Sequence, residues 1–474
     1  AYALGDGLVG SEMSIRDRVN GSNQVTNWQD QSGNSRDADV PFGTPDVLDA
    51  GANFNPTVLF DGDDYFQFSS SPFTNVFTAG EVLAVVKDNG FTNCSCGPAY
   101  SFGGETDPAN YTWNTGGVYT NFGTTDRLGW EPHLPRVLDG RPGYTTDTSF
   151  GGQLEDVRDY HVYHNYTAPN DWGVGFDGLF QAETNVNTVS FLAPGGVAHT
   201  EQLGREAIWN FQGEMPEILL YDRKLTDAER KQVMTYLGIK YGNTIGHDYI
   251  ASDGTIIWDS TAMAQWHHHV AAIGRDDASD LNQLQSQSTV NGSFVAIGLD
   301  SVAAGNTMHG SSFGADKQFM FWGNNSEEAV LGIHSIGAIR EIMQRVWKVH
   351  EVGTVGTVEV SVPMSSVVDA LIVNSTNADF LTGNTIVSLT PDGNGNMVGT
   401  YDFTSGDFFT FGIAGNCVTD MAPPVAACAS LPEMLEASVP TFTTLYIRNF
   451  VGQTYTPQSH GALTRVCLLY TSPS

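Results

Sequence analysis

Glu81-Val82-Leu83-Ala84-Val85-Val86-Lys87 is a near-continuous apolar run closed at both ends by a charged side chain. Its length and β-branched content fit a strand buried on both faces, as inside a sandwich. Working outward, Thr57-Val58-Leu59-Phe60 leads through Asp61-Gly62-Asp63-Asp64 into Tyr65-Phe66-Gln67-Phe68, and Ile218-Leu219-Leu220-Tyr221 supplies another run much later. Short strands separated by Gly- and Asp-rich turns predict a β-sandwich or jelly roll.

The composition agrees. The chain has 474 residues, 41% hydrophobic and only 16% charged, with 52 Gly and 20 Pro, which reads as strands and turns. Its 53 acidic against 21 basic side chains give a net charge of −32. That balance argues against nucleic acid or an anionic membrane as a partner, because phosphate binding needs clustered Lys and Arg. No stretch approaches the ~18 apolar residues of a spanning helix, so no membrane insertion is expected. Ala1-Tyr2-Ala3-Leu4 reads as the inside of a domain, so a fragment of a longer protein is expected.

One helix stands out. Thr226 is a good N-cap, Glu229 completes a capping box, and Gly242 supplies the stop. Val233, Leu237 and Tyr241 recur at a spacing of four and predict one buried stripe. The helix is expected to close a first domain, 1–243. Strand signals then restart at 294–299, 318–322, 356–362, 370–373 and 408–413, with a hairpin at Asp392-Gly393-Asn394-Gly395. They define a β-rich domain of unknown role, 244–416. Pro423-Pro424 marks a linker into a truncated module, 417–466, and 467–474 are set apart as an artefact.

Several motifs carry a resemblance. Asn27-Trp28-Gln29-Asp30-Gln31-Ser32-Gly33-Asn34, Phe60-Asp61-Gly62-Asp63-Asp64-Tyr65, and the stretch from Gly213-Glu214 through Tyr221-Asp222-Arg223-Lys224-Leu225-Thr226 to Ile239-Lys240-Tyr241-Gly242 resemble laminin-G-like, concanavalin A-like domains. They span about half the chain and imply a jelly roll with one C-terminal helix. Ile273-Gly274-Arg275-Asp276-Asp277, Trp322-Gly323-Asn324-Asn325 and Arg345-Val346-Trp347-Lys348-Val349 resemble an uncharacterised β-rich domain that trails such modules in large secreted, Bacteroidetes-type surface proteins. The fold class expected is therefore all-β: a concanavalin A-like jelly roll, then a second β-sandwich-like domain. The stretch from Asp420 to Cys428 resembles the start of a hyalin-repeat or immunoglobulin-like module, and Cys467-Leu468-Leu469-Tyr470-Thr471-Ser472-Pro473-Ser474 resembles sequencing-adapter read-through.

A fold of this kind names no activity, so the residues must. Glycoside hydrolysis needs two facing carboxylates. Glu214 and Glu217 are the nearest pair, but three residues apart on an extended strand, with Pro216 between, they are expected on opposite faces. No GxSxG elbow and no phosphate-cradling glycine loop is present. Asp61, Asp63 and Asp64 have the hard oxygen donors that calcium takes, and a tight turn is the competing reading. The three consecutive histidines at 267–269 alternate faces on a strand, which argues against a metal role. Of five cysteines, Cys417 and Cys428 are the expected disulfide in an oxidising compartment.

Aromatic rings stack on the apolar faces of sugars. Trp113, Tyr119, Trp130, Tyr163, Tyr166 and Trp172 lie in Asn-, Gly- and Asp-rich segments and are the expected ligand-binding set. The resulting expectation is a secreted or cell-surface, non-enzymatic adhesion protein that recognises carbohydrate or glycoprotein with calcium assistance. A polysaccharide-degrading enzyme, or its accessory module, and a structural spacer are the alternatives.

Overall fold

The computed structural model describes residues 20–69, 79–89, 159–169, 171–184, 209–290, 292–332 and 339–414, with short pieces at 12–14, 99–101, 120–122, 126–131, 136–139, 147–149 and 202–206. It is built of antiparallel sheets with one α-helix among the described residues.

The first half contains β1 (Val40–Phe42), β2 (Asp46–Ala52), β3 (Asn55–Asp61), β4 (Tyr65–Gln67), β5 (Gly80–Asp88), β6 (Tyr100–Ser101), β7 (His161–Ala168), β8 (Asp171–Phe176), β9 (Leu179–Thr184), β10 (Gln202–Leu203) and β11 (Gln212–Tyr221). The main sheet runs β9-β8-β7-β5-β11-β3-β2, and Glu12–Ser14 also pairs with β11. A second sheet, β1-β4-β10-β6, covers one face. Val82, Ala84 and Val86 of β5 point into the core between them, with Trp28, Phe60, Phe66 and Tyr100. The alternate residues Leu83 and Val85 join the core under the helix. The apolar run is thus explained: β5 is central and buried on both faces.

Helix α1 (Asp227–Tyr241) begins with the expected capping box: Glu229 N donates to Thr226 Oγ1 at 3.3 Å, and Thr226 N donates to Glu229 Oε2 at 2.8 Å. It ends at Gly242, whose φ is 69° and where a Cβ would meet Gln287 O at 2.1 Å, so both conformation and space require glycine. The expected stripe, Val233, Leu237 and Tyr241, is buried, but so are Met234, Thr235, Tyr236 and Ile239. One stripe understates the burial, because the second half packs on the helix as well. Tyr249, Trp258, Phe319 and Phe321 belong to the same apolar cluster as Leu83, Val85 and Val162.

That second half is another sandwich. Its strands are β12 (His268–Asp276), β13 (Leu281–Gln283), β14 (Gln285–Gln287), β15 (Ala296–Leu299), β16 (Gln318–Asn324), β17 (Ile339–Met343), β18 (Trp347–Val352), β19 (Thr357–Pro363), β20 (Ala370–Asn374), β21 (Asn396–Asp402) and β22 (Phe408–Ala414). One sheet runs β13-β12-β16-β18-β22-β17, with β20 also on β22, and the other runs β14-β15-β19-β21. Ile273, Trp322, Val349, Val360, Leu371 and Phe411 fill the space between.

The two halves meet at the β2–β3 hairpin tip. Asn53 and Phe54 both have positive φ, 47° and 64°, the left-handed pair of a two-residue turn. Asn53 Nδ2 donates to Lys240 O at 3.1 Å and to Ser286 Oγ at 2.9 Å, and Asn53 Oδ1 accepts from Gln287 N at 2.7 Å. Asn55 Nδ2 donates to Lys240 O at 2.7 Å and to Gln283 Oε1 at 3.2 Å. These carboxamides satisfy carbonyls that the helix end leaves open.

Candidate functional site

The 61–64 turn joins β3 to β4 at the rim of the first sandwich. Asp61 Oδ1 accepts from Asp63 N at 3.1 Å, closing an Asx turn around Gly62, whose φ is 107°. Asp64 is only 2% exposed and accepts from Thr44 N at 2.5 Å and from Asp61 N at 3.2 Å. Asp61 and Asp63 face water, and one oxygen from each of the three carboxylates lies within 4.8 Å of the others. Both expectations for these residues thus have a geometric counterpart: a tight turn, and a cluster of hard donors. Backbone and side-chain hydrogen bonds from Asp63 hold the Asp61 carboxyl below its ordinary pKa. Its hydrogen bond to Asp61, and then the Asp61 charge, push Asp63 up, whereas burial is the main cause of the rise at Asp64. A cation would offset the repulsion that this crowding creates.

Directly beside this turn the sheet register sets Phe42 of β1 opposite Tyr65 of β4. Their rings stack at 4.3 Å with an interplanar angle of 7°, and Phe42 is 39% exposed. The Arg205 guanidinium lies 4.4 Å from the Tyr65 centroid. Gly204 brings that segment in by close approach, since a Cβ there would meet Phe60 at 2.5 Å and Asp64 O at 3.1 Å. An apolar ring face, a guanidinium and three carboxylates therefore share one rim. The sequence does not show Phe42 and Arg205 as partners of Tyr65, because Phe42 meets it through strand pairing and Arg205 through a long-range contact of its guanidinium with the ring. Pro41-Phe42-Gly43, an aromatic held between two turn residues, was the available signal.

Of the expected aromatic set, Tyr163 and Tyr166 are buried and line no open surface. Tyr163, 4% exposed, packs in the first core. Tyr166, 1% exposed, donates to Asp171 Oδ1 at 3.1 Å and to Glu183 Oε1 at 2.9 Å, with Lys224 Nζ 3.7 Å from its centroid. Neither has a ring face open to a ligand: Tyr163 turns into the first core, and Tyr166, on the opposite face of β7, packs against Phe180, Lys224 and Arg230. Trp172 pairs with Thr167 and Thr184 in the main sheet, and Trp130 pairs with Val137 in a small separate sheet. Trp113 and Tyr119 lie outside the described residues, as do Cys417 and Cys428.

The expectation for Glu214 and Glu217 is corrected. β11 carries a bulge between them: Glu214 lies opposite Lys87 and Glu217 opposite Val85, so three steps on β11 match two on β5. The extra residue turns both carboxylates to the helix side of the sheet. Glu214 accepts from Lys87 Nζ at 2.8 Å, from Asn89 Nδ2 at 3.0 Å and from the Tyr160 hydroxyl. Burial works to raise its pKa, and these donors outweigh that and hold it low. Glu217, fully buried, accepts from Tyr236 OH at 3.0 Å, Lys240 Nζ at 2.7 Å and Tyr241 OH at 2.5 Å. These contacts tie the sheet to α1. His267 is similarly engaged: its Nδ1 accepts from Trp258 Nε1 at 2.9 Å, and its Nε2 lies 2.8 Å from Ile245 O.

A family model described as a domain of unknown function (DUF8202) matches residues 229–407, beginning inside α1. No curated protein matches the chain. Among solved structures, the chain is similar to domain 4 of an extracellular arabinanase from Geobacillus stearothermophilus in complex with arabinotriose, at 15% identity and a TM-score of 0.30, over 46% of this chain and 95% of that one. A Trypanosoma rangeli sialidase in complex with sialic acid follows at 14% identity and a TM-score of 0.30, over 47% and 32% of the two chains. An arabinofuranosidase complexed with arabinofuranosyl-alpha-1,2-xylobiose matches at 10% identity and a TM-score of 0.26, over 44% and 50%. The expectation of a non-enzymatic protein, held beside the alternative of a polysaccharide-degrading enzyme, is corrected: the similar structures include a sialidase and an arabinofuranosidase, and the non-enzymatic reading is not retained.

Proposed function

We propose that the chain binds carbohydrate, free or on a glycoprotein, at the rim formed by Phe42, Tyr65, Arg205 and the 61–64 turn, as part of a secreted or cell-surface modular protein. The observation that carries this is the exposed Phe42–Tyr65 stack set against the three carboxylates. The outer face of the Phe42 ring, backed by Tyr65, supplies a flat apolar platform for a pyranose face, and Asp61 and Asp63 accept from sugar hydroxyls. Calcium fits the same turn, because its donors are all hard oxygens, and it would fix the carboxylates in one arrangement.

The test is binding of the full chain to a panel of polysaccharides, with calcium and again with a chelator. Phe42→Ala is expected to weaken binding about ten-fold, the loss of one stacked ring, while leaving the melting temperature nearly unchanged. Asp63→Asn is expected to remove the calcium dependence. Equal binding by wild type and Phe42→Ala would sink the assignment of this rim. Release of reducing or unsaturated sugar in the same assay would add a chemical step to the binding.

A further inference from the structure

The second sandwich holds an independent group of polar side chains at one end of its core. Strand β12 opens with a bulge: His268 lies opposite Asn324, and the ladder resumes only at Ala271 opposite Trp322. Within the bulge His269 has a φ of 48°, a left-handed conformation uncommon outside glycine, and its Nδ1 is buried with no hydrogen-bond partner among the described residues. Asn324, fully buried at the end of β16, accepts from Ser326 N at 2.9 Å through Oδ1, while its Nδ2 has no partner among the described residues. Opposite Asn324 is Trp347, and two residues before it in the chain is Arg345, 9% exposed.

Arg345 donates from Nε to Glu327 O at 2.6 Å and from Nη1 to Gly292 O at 2.9 Å. No carboxylate pairs with it among the described residues. Burial pulls both Arg345 and His269 toward their neutral forms, and the Arg345 charge acts on His269 as well. Glu328 is the acidic group that acts on Arg345, without forming an ion pair. The strand register flanks the buried Asn324 amide N–H, which lacks an acceptor among the described residues, with His269 and with the Arg345 guanidinium, which donates to two carbonyls and carries a charge that no carboxylate pairs with. Leaving that N–H unsatisfied costs about 1–3 kcal/mol, and an anion would accept from it and offset the guanidinium charge.

We propose that His269, Asn324 and Arg345 form a binding site for a small oxyanion, namely a carboxylate or sulfate group. Such groups occur on acidic sugars and also as free ions, and the chemistry presented to the site is the same. This proposal does not depend on the carbohydrate rim of the first sandwich.

The experiment follows the His269 imidazole resonances of the full chain during titration with sodium sulfate and, separately, sodium glucuronate, with ionic strength held constant by sodium chloride. Saturable shifts are expected with at least one of the two. Saturation by sulfate alone assigns a sulfate site; saturation by glucuronate alone assigns a carboxylate site. Asn324→Asp, nearly isosteric, replaces the open donor by a like charge and is expected to weaken binding about ten-fold or more. Arg345→Met is expected to abolish it. A response equal in wild type and Asn324→Asp, or no saturable shift with either salt, would overturn the site and leave only water there.

Discussion

Helix α1 is held by two seams of different chemistry. Toward the first sandwich it uses buried charge: Arg230 donates from Nε to Glu81 Oε1 at 2.5 Å and from Nη2 to Glu81 Oε2 at 3.0 Å, and Glu217 gathers Tyr236, Lys240 and Tyr241. Toward the second sandwich it uses the hydrocarbon of Tyr249, Ile257, Trp258 and Phe321, with uncharged hydrogen bonds from Gln232 Nε2 to Ala251 O and Ser252 O and from Ile250 N to Thr235 Oγ1. The first seam is demanding, because removing one partner strands a buried charge. The second tolerates substitutions that conserve shape. A helix can thus be equally buried on two sides and unequally sensitive on them.

The sharpest break of this contrast is Arg230→Met. It leaves Glu81 buried without its cation and is expected to cost about 3–5 kcal/mol in denaturant unfolding. Combining it with Glu81→Leu should recover much of that loss; if the double variant is as unstable as the single, the seam is not held by the pair.

The next effect is of pH. His164, fully buried on the sheet side near Arg230, is held down to about 3, by burial first and then by the Arg230 charge. Its folded pKa lies below the unfolded value of about 6.5, so between the two the unfolded chain binds more protons and stability falls as pH falls. The loss attributable to this group reaches on the order of 3 kcal/mol by pH 4. His164→Leu should flatten the melting-temperature profile below pH 6.5, and an unchanged slope would remove His164 from the account.

Asn53→Ala should cost about 2 kcal/mol, from unsatisfied carbonyls and a left-handed backbone without asparagine or glycine. Asn53→Gly restores the backbone alone, and the difference between the two variants in calorimetry separates those contributions. The smallest effect is expected at the hydrocarbon seam, where Ile257→Val should cost only about 1 kcal/mol. A cost matching that of Arg230→Met would erase the contrast.

Much of this architecture was legible. The run in β5, the Thr226–Glu229 capping box and the 392–395 hairpin act through neighbours in sequence, and each stands where its pattern placed it. The strand signals of the second half also fall within a residue or two of β15, β16, β19, β20 and β22. What escaped was relational. Phe42 meets Tyr65 because of register, and the second face of α1 is buried because a distant sandwich reaches it. Glu214 and Glu217 share a face because one residue bulges out of a ladder, which strict alternation misses. The candidate site was half visible, its carboxylates in a motif and its rings hidden in pairing.

That bulge also decides where the chain can change length. Deleting a residue from an ordinary strand reverses every side chain beyond it. In β11 such a loss after Glu217 would exchange Ile218 and Leu220 with Leu219 and Tyr221 across the sheet. At Met215 or Pro216 the ladder already holds one residue more than its partner. A single-codon deletion there would straighten the strand and leave Glu214 and Glu217 facing the helix. Natural variants differing in length within β11 are therefore expected to differ at this step.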